Sequence, residues 1–285
     1  MNPIVLSFAD GTTFFVGLAV TLIADLLLLR IHRGIVRSVL NVLVVVGIVF
    51  VIISATPLPI WAYSLLIVTT ATCLVIENLI RAPRHLRLIA TGFLIVITAG
   101  LCITEAPYHF LPRITVPHGK RVYVLGDSIS AGMGTKDRCW PAVLGDISPF
   151  TVVNLAQAGA TAESAIKQAD GILESNSVVI VEIGGNDLLD DTKADVFRSQ
   201  IESLVSLLRR KQQQVLVIEL PLFPFQNAYG KAQRSIVTKY GAVLLPKRCL
   251  TKVFGLKNGT LDGLHLSQEG HNAFAKIIAG VLHEE

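Results

Sequence analysis

Between Thr12 and Thr104 the chain carries four nearly uninterrupted apolar tracts, at 12–29, 36–54, 60–80 and 86–104. About 20 apolar residues in a helix cross the roughly 30 Å hydrocarbon layer of a bilayer, so each tract predicts a transmembrane helix. The breaks between them are short: Arg30–Gly34, Thr56-Pro57-Leu58-Pro59 and Arg81-Ala82-Pro83-Arg84. A cleaved signal peptide fits poorly, because no basic segment precedes Thr12 and further apolar tracts follow.

Beyond residue 118 the period changes. Short β-branched runs at 120–125, 151–155, 177–183, 215–220 and 242–245 predict strands. Helical spacing fills the intervals at 140–146, 162–174, 194–212 and 228–240, and Ser267 is a ready N-cap for a last helix over 268–282. Strands apolar on both faces and alternating with helices predict a parallel sheet covered on both sides. The fold class is therefore α/β, a flavodoxin-like three-layer sandwich with five strands in the order 2-1-3-4-5, preceded by an all-α bundle of four transmembrane helices. The expected domains are 1–104 for the bundle, 105–118 for a semi-extended linker containing Pro107, Pro112 and Pro117, and 119–285 for the α/β domain.

Charge sharpens this division. Of 25 Lys+Arg and 21 Asp+Glu, residues 1–104 hold six and three, which leaves the α/β domain close to neutral. The net charge of +4 thus belongs mainly to the helix-connecting loops, and nucleic-acid binding, which needs basic residues clustered on the folded domain, is excluded. Arg30, Arg33 and Arg37 mark the first loop and Arg81, Arg84 and Arg87 the third, whereas the N-terminal segment and the Thr56–Pro59 loop have no Lys or Arg. Basic loops stay cytoplasmic. Both termini and the α/β domain are then expected on the periplasmic side of a bacterial inner membrane. Asp25 and Glu77 lie inside apolar tracts near the arginine-bearing ends, and are expected to pair with arginine or to snorkel rather than to form an ion path.

In a parallel sheet the ligand site forms where loops leave the carboxyl ends of the strands. Four polar groups fall there: Gly126-Asp127-Ser128, Asn154 with Gly159, Gly184-Gly185-Asn186-Asp187, and Asp262-Gly263-Leu264-His265. A serine hydroxyl needs a base to become a nucleophile, and a histidine base needs a partner that fixes its tautomer. Ser128, His265 and Asp262 are candidates for those roles. The amides of Ser128 and Gly159 and the side chain of Asn186 are candidate oxyanion donors.

GDSIS at 126–130, NLAQAG at 154–159, GGND at 184–187 and DGLH at 262–265 resemble, in order and spacing, the four blocks of the SGNH/GDSL hydrolase superfamily. WPAVL at 140–144 and VEIGGND at 181–187 are most similar to its bacterial acyl-thioesterase, lysophospholipase and arylesterase branch. The resemblance covers about 120–283 and none of the helical half. It implies the SGNH hydrolase fold, Ser128 as nucleophile and oxyanion donor, Gly159 and Asn186 as further oxyanion donors, Asp262 and His265 as the rest of the triad, and no metal or organic cofactor. Ile129 stands where the family usually has Leu.

The bland readings hold elsewhere. Asp127 and Asp187 are expected to hydrogen-bond backbone, and His271 to pack within the last helix. His32, His85, His109, His118 and His283 show no ligand spacing, so no metal site is expected. Cys73 and Cys102 read as apolar fillers, and a bridge between Cys139 and Cys249 is left open. Phe223 and Phe225, on either side of Pro224 after the fourth strand, are candidate acyl-chain contacts. The function expected is that of a membrane-anchored extracytoplasmic serine ester hydrolase, forming a Ser128 acyl-enzyme with acyl esters or thioesters such as lysophospholipids. Deacetylation of, or acyl transfer to, an envelope glycan is the alternative within the same chemistry. A non-catalytic ligand-binding or sensory membrane module is the alternative of another class. No protein partner is indicated.

Overall fold

The structure, a computed structural model, describes residues 2–31, 34–78, 82–133 and 138–285. His32, Arg33 and Arg81, which entered the loop and ligand readings above, lie outside the described residues. The chain divides into two compact units, one of residues 7–109 with 223–227, the other of residues 1–6, 110–222 and 228–285.

The first unit is helical. After α1 (Pro3–Ala9), shared between the units, come α2 (Thr12–Leu28), α3 (Ile35–Ile53), α4 (Ile60–Asn78) and α5 (Arg84–Glu105). By length and composition α3, α4 and α5 suffice to cross a membrane. The 17-residue α2 does so only when counted with α1, from which it bends by 90°. The apolar tracts thus emerge as helices where expected, with three candidate spans or four. The pair α2 and α3 packs closely because neither has a side chain at the crossing: a Cβ on Gly17 would lie 2.5 Å from the carbonyl oxygen of Gly47. Small residues allow this approach between helices.

Two buried carboxylates are handled differently. Glu77 pairs with Arg87 at 3.4 Å and Arg37 at 3.6 Å, as expected. Asp25, expected to find an arginine or the interface, is 1% exposed and accepts a 2.7 Å hydrogen bond from the Thr91 hydroxyl instead. That hydroxyl, on the facing α5, supplies the donor that a loop arginine was expected to bring.

The second unit runs β1 (Ile114–Val116), β2 (Val122–Gly126), α6 (Ser128–Ala131), α7 (Trp140–Ile147), β3 (Val152–Asn154), α8 (Ala162–Gln168), β4 (Val178–Glu182), α9 (Gly185–Leu189), α10 (Ala194–Arg210), β5 (Gln214–Ile218), α11 (Asn227–Tyr240), β6 (Val243–Leu245), α12 (Arg248–Phe254), α13 (Gln268–Ala279) and β7 (Leu282–Glu284). Its main sheet is parallel in the order β3-β2-β4-β5-β6, the topology the alternation predicts. Every residue of β2 and β4 is buried, which explains why both read as unbroken apolar runs. Trp140 and Phe274 meet edge to face at 5.3 Å between α7 and α13.

The stretch expected to be an extended linker is largely structured. Helix α5 continues through Glu105, a 3-10 turn covers Ala106–His109, and β1 pairs in parallel with β7 while burying Ile114 and Val116. Burying those two side chains in the α/β unit's own core stabilises the segment more than solvation would. All four cysteines are free, so no bridge joins Cys139 and Cys249, and burial pushes the Cys249 thiol up to about 11.

Candidate active site

The sheet delivers the Gly126–Ser128 and Gly184–Asp187 groups to one edge because β2 and β4 end in register, Gly126 beside Glu182. Ser128 opens the single turn of α6 directly after β2 and is half-buried. Asp127 caps this turn, its Oδ1 accepting from the Ile129 amide at 2.9 Å. Gln168 clasps Gly126 from both sides, accepting from its amide at 2.9 Å and donating to its carbonyl at 3.0 Å. The position of the serine is therefore set by its own capping aspartate and by a side chain from α8 as well as by the strand.

Asn186 ties three of the blocks together. Its Nδ2 donates to the Ala160 carbonyl at 2.9 Å and, weakly, to Asp127 Oδ2 at 3.4 Å. Asn154 Nδ2 donates to the Ser130 carbonyl at 3.0 Å. Gly159 has φ +78°, a left-handed conformation that a side chain disfavours, and open space surrounds its Cα. Neither the Ser128 amide nor the Gly159 amide donates to backbone among the described residues.

The fourth block is a self-bonded loop. Asp262 Oδ1 accepts from the amides of Leu264 at 2.9 Å and His265 at 2.8 Å, and Oδ2 meets His265 Nδ1 at 2.6 Å. The His265 bond, then the two amides, hold the Asp262 carboxyl well below the usual carboxylate range. His265 also acts electrostatically on Asp127, the residue before Ser128. The structure brings Asp262 and His265 into contact, but no hydrogen bond joins His265 to Ser128 Oγ among the described residues. Such bonds commonly tighten only when substrate arrives.

Asp187 Oδ2 accepts from the Ala162 amide at 2.9 Å, so both flanking aspartates serve backbone, as expected. His271 is 1% exposed and its Nδ1 accepts from the Trp140 amide at 3.2 Å, a packing role. Phe223 and Phe225 are exposed and fall in the segment grouped with the helical unit. Among the described residues no group of histidine, cysteine and acidic side chains could hold a metal. The sequence reading missed Glu182, Ser130 and Gln168. The signal for Glu182 was there: a carboxyl at the end of a strand otherwise made of valine and isoleucine.

A model of the GDSL-like lipase/acylhydrolase family matches residues 124–273, just over half of the 285. An arylesterase of Vibrio mimicus is 28% identical over 176 residues, covering 56% of this chain and 86% of its own length. Esterase TesA of Pseudomonas aeruginosa is 27% identical over 162 residues, covering 53% and 79%. A crystal structure of TesA superposes with a TM-score of 0.51 at 23% identity, over 57% of this chain and 97% of its own. The psychrotrophic esterase EstA from Pseudoalteromonas sp. superposes with a TM-score of 0.51 at 18% identity, over 57% and 96%. Both structural likenesses concern the fold.

Proposed function

Because the chain belongs to the GDSL-like lipase/acylhydrolase family and is a serine ester hydrolase, we propose that Ser128 is its nucleophile, His265 the general base and Asp262 the partner that orients the imidazole. Ser128 Oγ attacks the ester carbonyl while His265 Nε2 takes its proton. Asp262 holds Nδ1–H and stabilises the imidazolium that forms. The carbonyl oxygen, now negative, accepts from the amides of Ser128 and Gly159 and from Asn186 Nδ2, whose 3.4 Å bond to Asp127 is weak enough to exchange. His265 returns the proton to the leaving alcohol. Water, activated by the same imidazole, then frees the acid from the acyl-enzyme. The observation that carries this reading is the 2.6 Å contact between His265 and Asp262.

The helical unit anchors the enzyme in the bacterial inner membrane through four spans, α1 with α2 counting as one, and the catalytic unit faces the periplasm. The apolar lengths and the arginines of alternate loops support this. The substrates are acyl esters or thioesters of lipids at that surface, with aryl esters as convenient reporters, a class that the Vibrio relative's name supports. A membrane-impermeant fluorophosphonate added to cells with a permeabilised outer envelope is expected to label Ser128. Labelling only after lysis would reverse the orientation, and none in either preparation would remove Ser128 as nucleophile. Phe223 and Phe225, exposed rings in a proline-containing loop, are assigned to the acyl chain. Phe223→Ala and Phe225→Ala are expected to lower activity on long-chain p-nitrophenyl esters about tenfold, the loss of roughly 1–3 kcal/mol of apolar contact, and to spare the acetate. Equal losses on both esters would refute the assignment.

A further inference from the structure

Glu182 closes β4 and is 1% exposed, directly beneath the turn that carries Ser128. A carboxyl so buried must be neutral or be paired with a cation. No cation reaches it among the described residues. On the neighbouring β5 side Glu219 is itself taken up by Arg234 at 2.6 Å. From the β2–α6 turn Glu182 receives only uncharged donors and another acid. Its Oε2 accepts from Ser130 Oγ at 2.8 Å and from the Asp127 amide at 3.4 Å, and the Asp127 carboxylate lies close enough to act on it electrostatically. A buried carboxyl that meets uncharged donors and a second acid, with no cation beside it, keeps its proton and leaves the single negative charge to its neighbour. The titratable groups acting on the Asp127 side are His265 and Asp187.

We propose that Glu182 is a positioning residue for Ser128, acting as the protonated half of an acid–carboxylate pair whose other half is Asp127. The proposal rests on Ser128 being the nucleophile. Asp127, the charged half, caps α6 and receives the loose Asn186 hydrogen. Glu182 fixes Ser130, whose Oγ also accepts from Trp140 Nε1 at 3.1 Å, so the turn is locked on its buried side. The Glu182 proton keeps the pair at one negative charge. A second charge there would oppose the oxyanion that develops above it. Burial first, then the Asp127 charge, push the Glu182 carboxyl well above the usual range. Because the folded state binds this proton more tightly than the unfolded chain, the stability it contributes is complete below the ordinary glutamate range, about pH 4.3, and is lost as pH rises through the raised value.

The test is a kcat–pH profile of the full chain in detergent, from about pH 5 to about pH 10. Wild type is expected to lose kcat on the alkaline side. Glu182→Gln keeps an acceptor for Ser130 and carries no charge, so it should hold kcat within about twofold at neutral pH and show no alkaline loss attributable to this pair. Glu182→Ala should lose about tenfold at every pH, the scale of one unsatisfied buried partner. A glutamine variant as impaired as the alanine variant, or one with the alkaline loss intact, overturns the proton on Glu182. Infrared difference spectra give a readout independent of turnover. A protonated-carboxyl carbonyl band should be present in wild type at neutral pH and missing from Glu182→Gln, and identical spectra would overturn the proposal. An inert wild type that still shows the band would support the proton pair while sinking Ser128 as nucleophile.

Discussion

Replacing His265 with alanine is expected to lower kcat by about 10⁶-fold, as much as Ser128→Ala, and the double variant should lose no more. The reason is that the two side chains act as one unit. A serine hydroxyl at neutral pH is almost wholly protonated, and its attack is productive only if a base removes the proton as the bond forms. Among the described residues His265 is the imidazole that Asp262 holds at 2.6 Å, whereas His271 is turned into the core toward the Trp140 amide. Steady-state and single-turnover rates on a p-nitrophenyl ester would measure the effect. Residual activity above about one hundredth of wild type in His265→Ala, or additive losses in the double variant, would mean that another group serves as base.

The parts legible in the sequence are those whose physics is local. Strands β2, β4 and β5 lie in the middle of a sheet covered on both faces, so burial alone writes them as runs of valine, isoleucine and leucine. Strands β1 and β7 escaped because each is three residues long and is a strand only by virtue of the other, 168 positions apart by the Ile114–Leu282 register. Leu282 instead read as the end of the last helix, whose apolar spacing runs on past the final turn of α13. The short α12 was hidden by its basic residues, Arg248 and Lys252, which break the apolar pattern although Leu250, Val253 and Phe254 are buried. The catalytic blocks were legible as four motifs because each motif is contiguous. What joins them was not. The Gln168 clasp on Gly126, the Asn186 bond to Ala160 and the Glu182 contact with Asp127 span 26 to 55 residues of sequence. Asp25 shows the same limit, since its partner Thr91 is 66 residues away on another helix.

Asn186→Ala is expected to lower kcat by about 10²–10³-fold while KM changes by no more than a few-fold, equivalent to roughly 2.7–4 kcal/mol of lost transition-state stabilisation. Both amide hydrogens are occupied in the resting site, one well placed on Ala160 at 2.9 Å and one loosely on Asp127 at 3.4 Å. The strong bond aims the side chain and the weak one leaves a donor that the oxyanion can claim. A strut alone and a strut that is also an oxyanion donor predict different data. Loss of the strut would loosen the Gly159–Ala160 loop and weaken ground-state binding, so KM would rise with little change in kcat. Loss of the donor leaves the ester's binding intact and withdraws an interaction made only once the carbonyl oxygen carries charge, so kcat falls and kcat/KM falls with it. The rate of inactivation by a phosphonate, whose tetrahedral adduct presents the same oxygen, should then drop in parallel with kcat across Asn186→Ala, Asn186→Ser and wild type. A rise in KM that accounts for the whole loss, with phosphonate inactivation unchanged, would confine Asn186 to holding the loop and leave the amides of Ser128 and Gly159 as the only donors to the oxyanion.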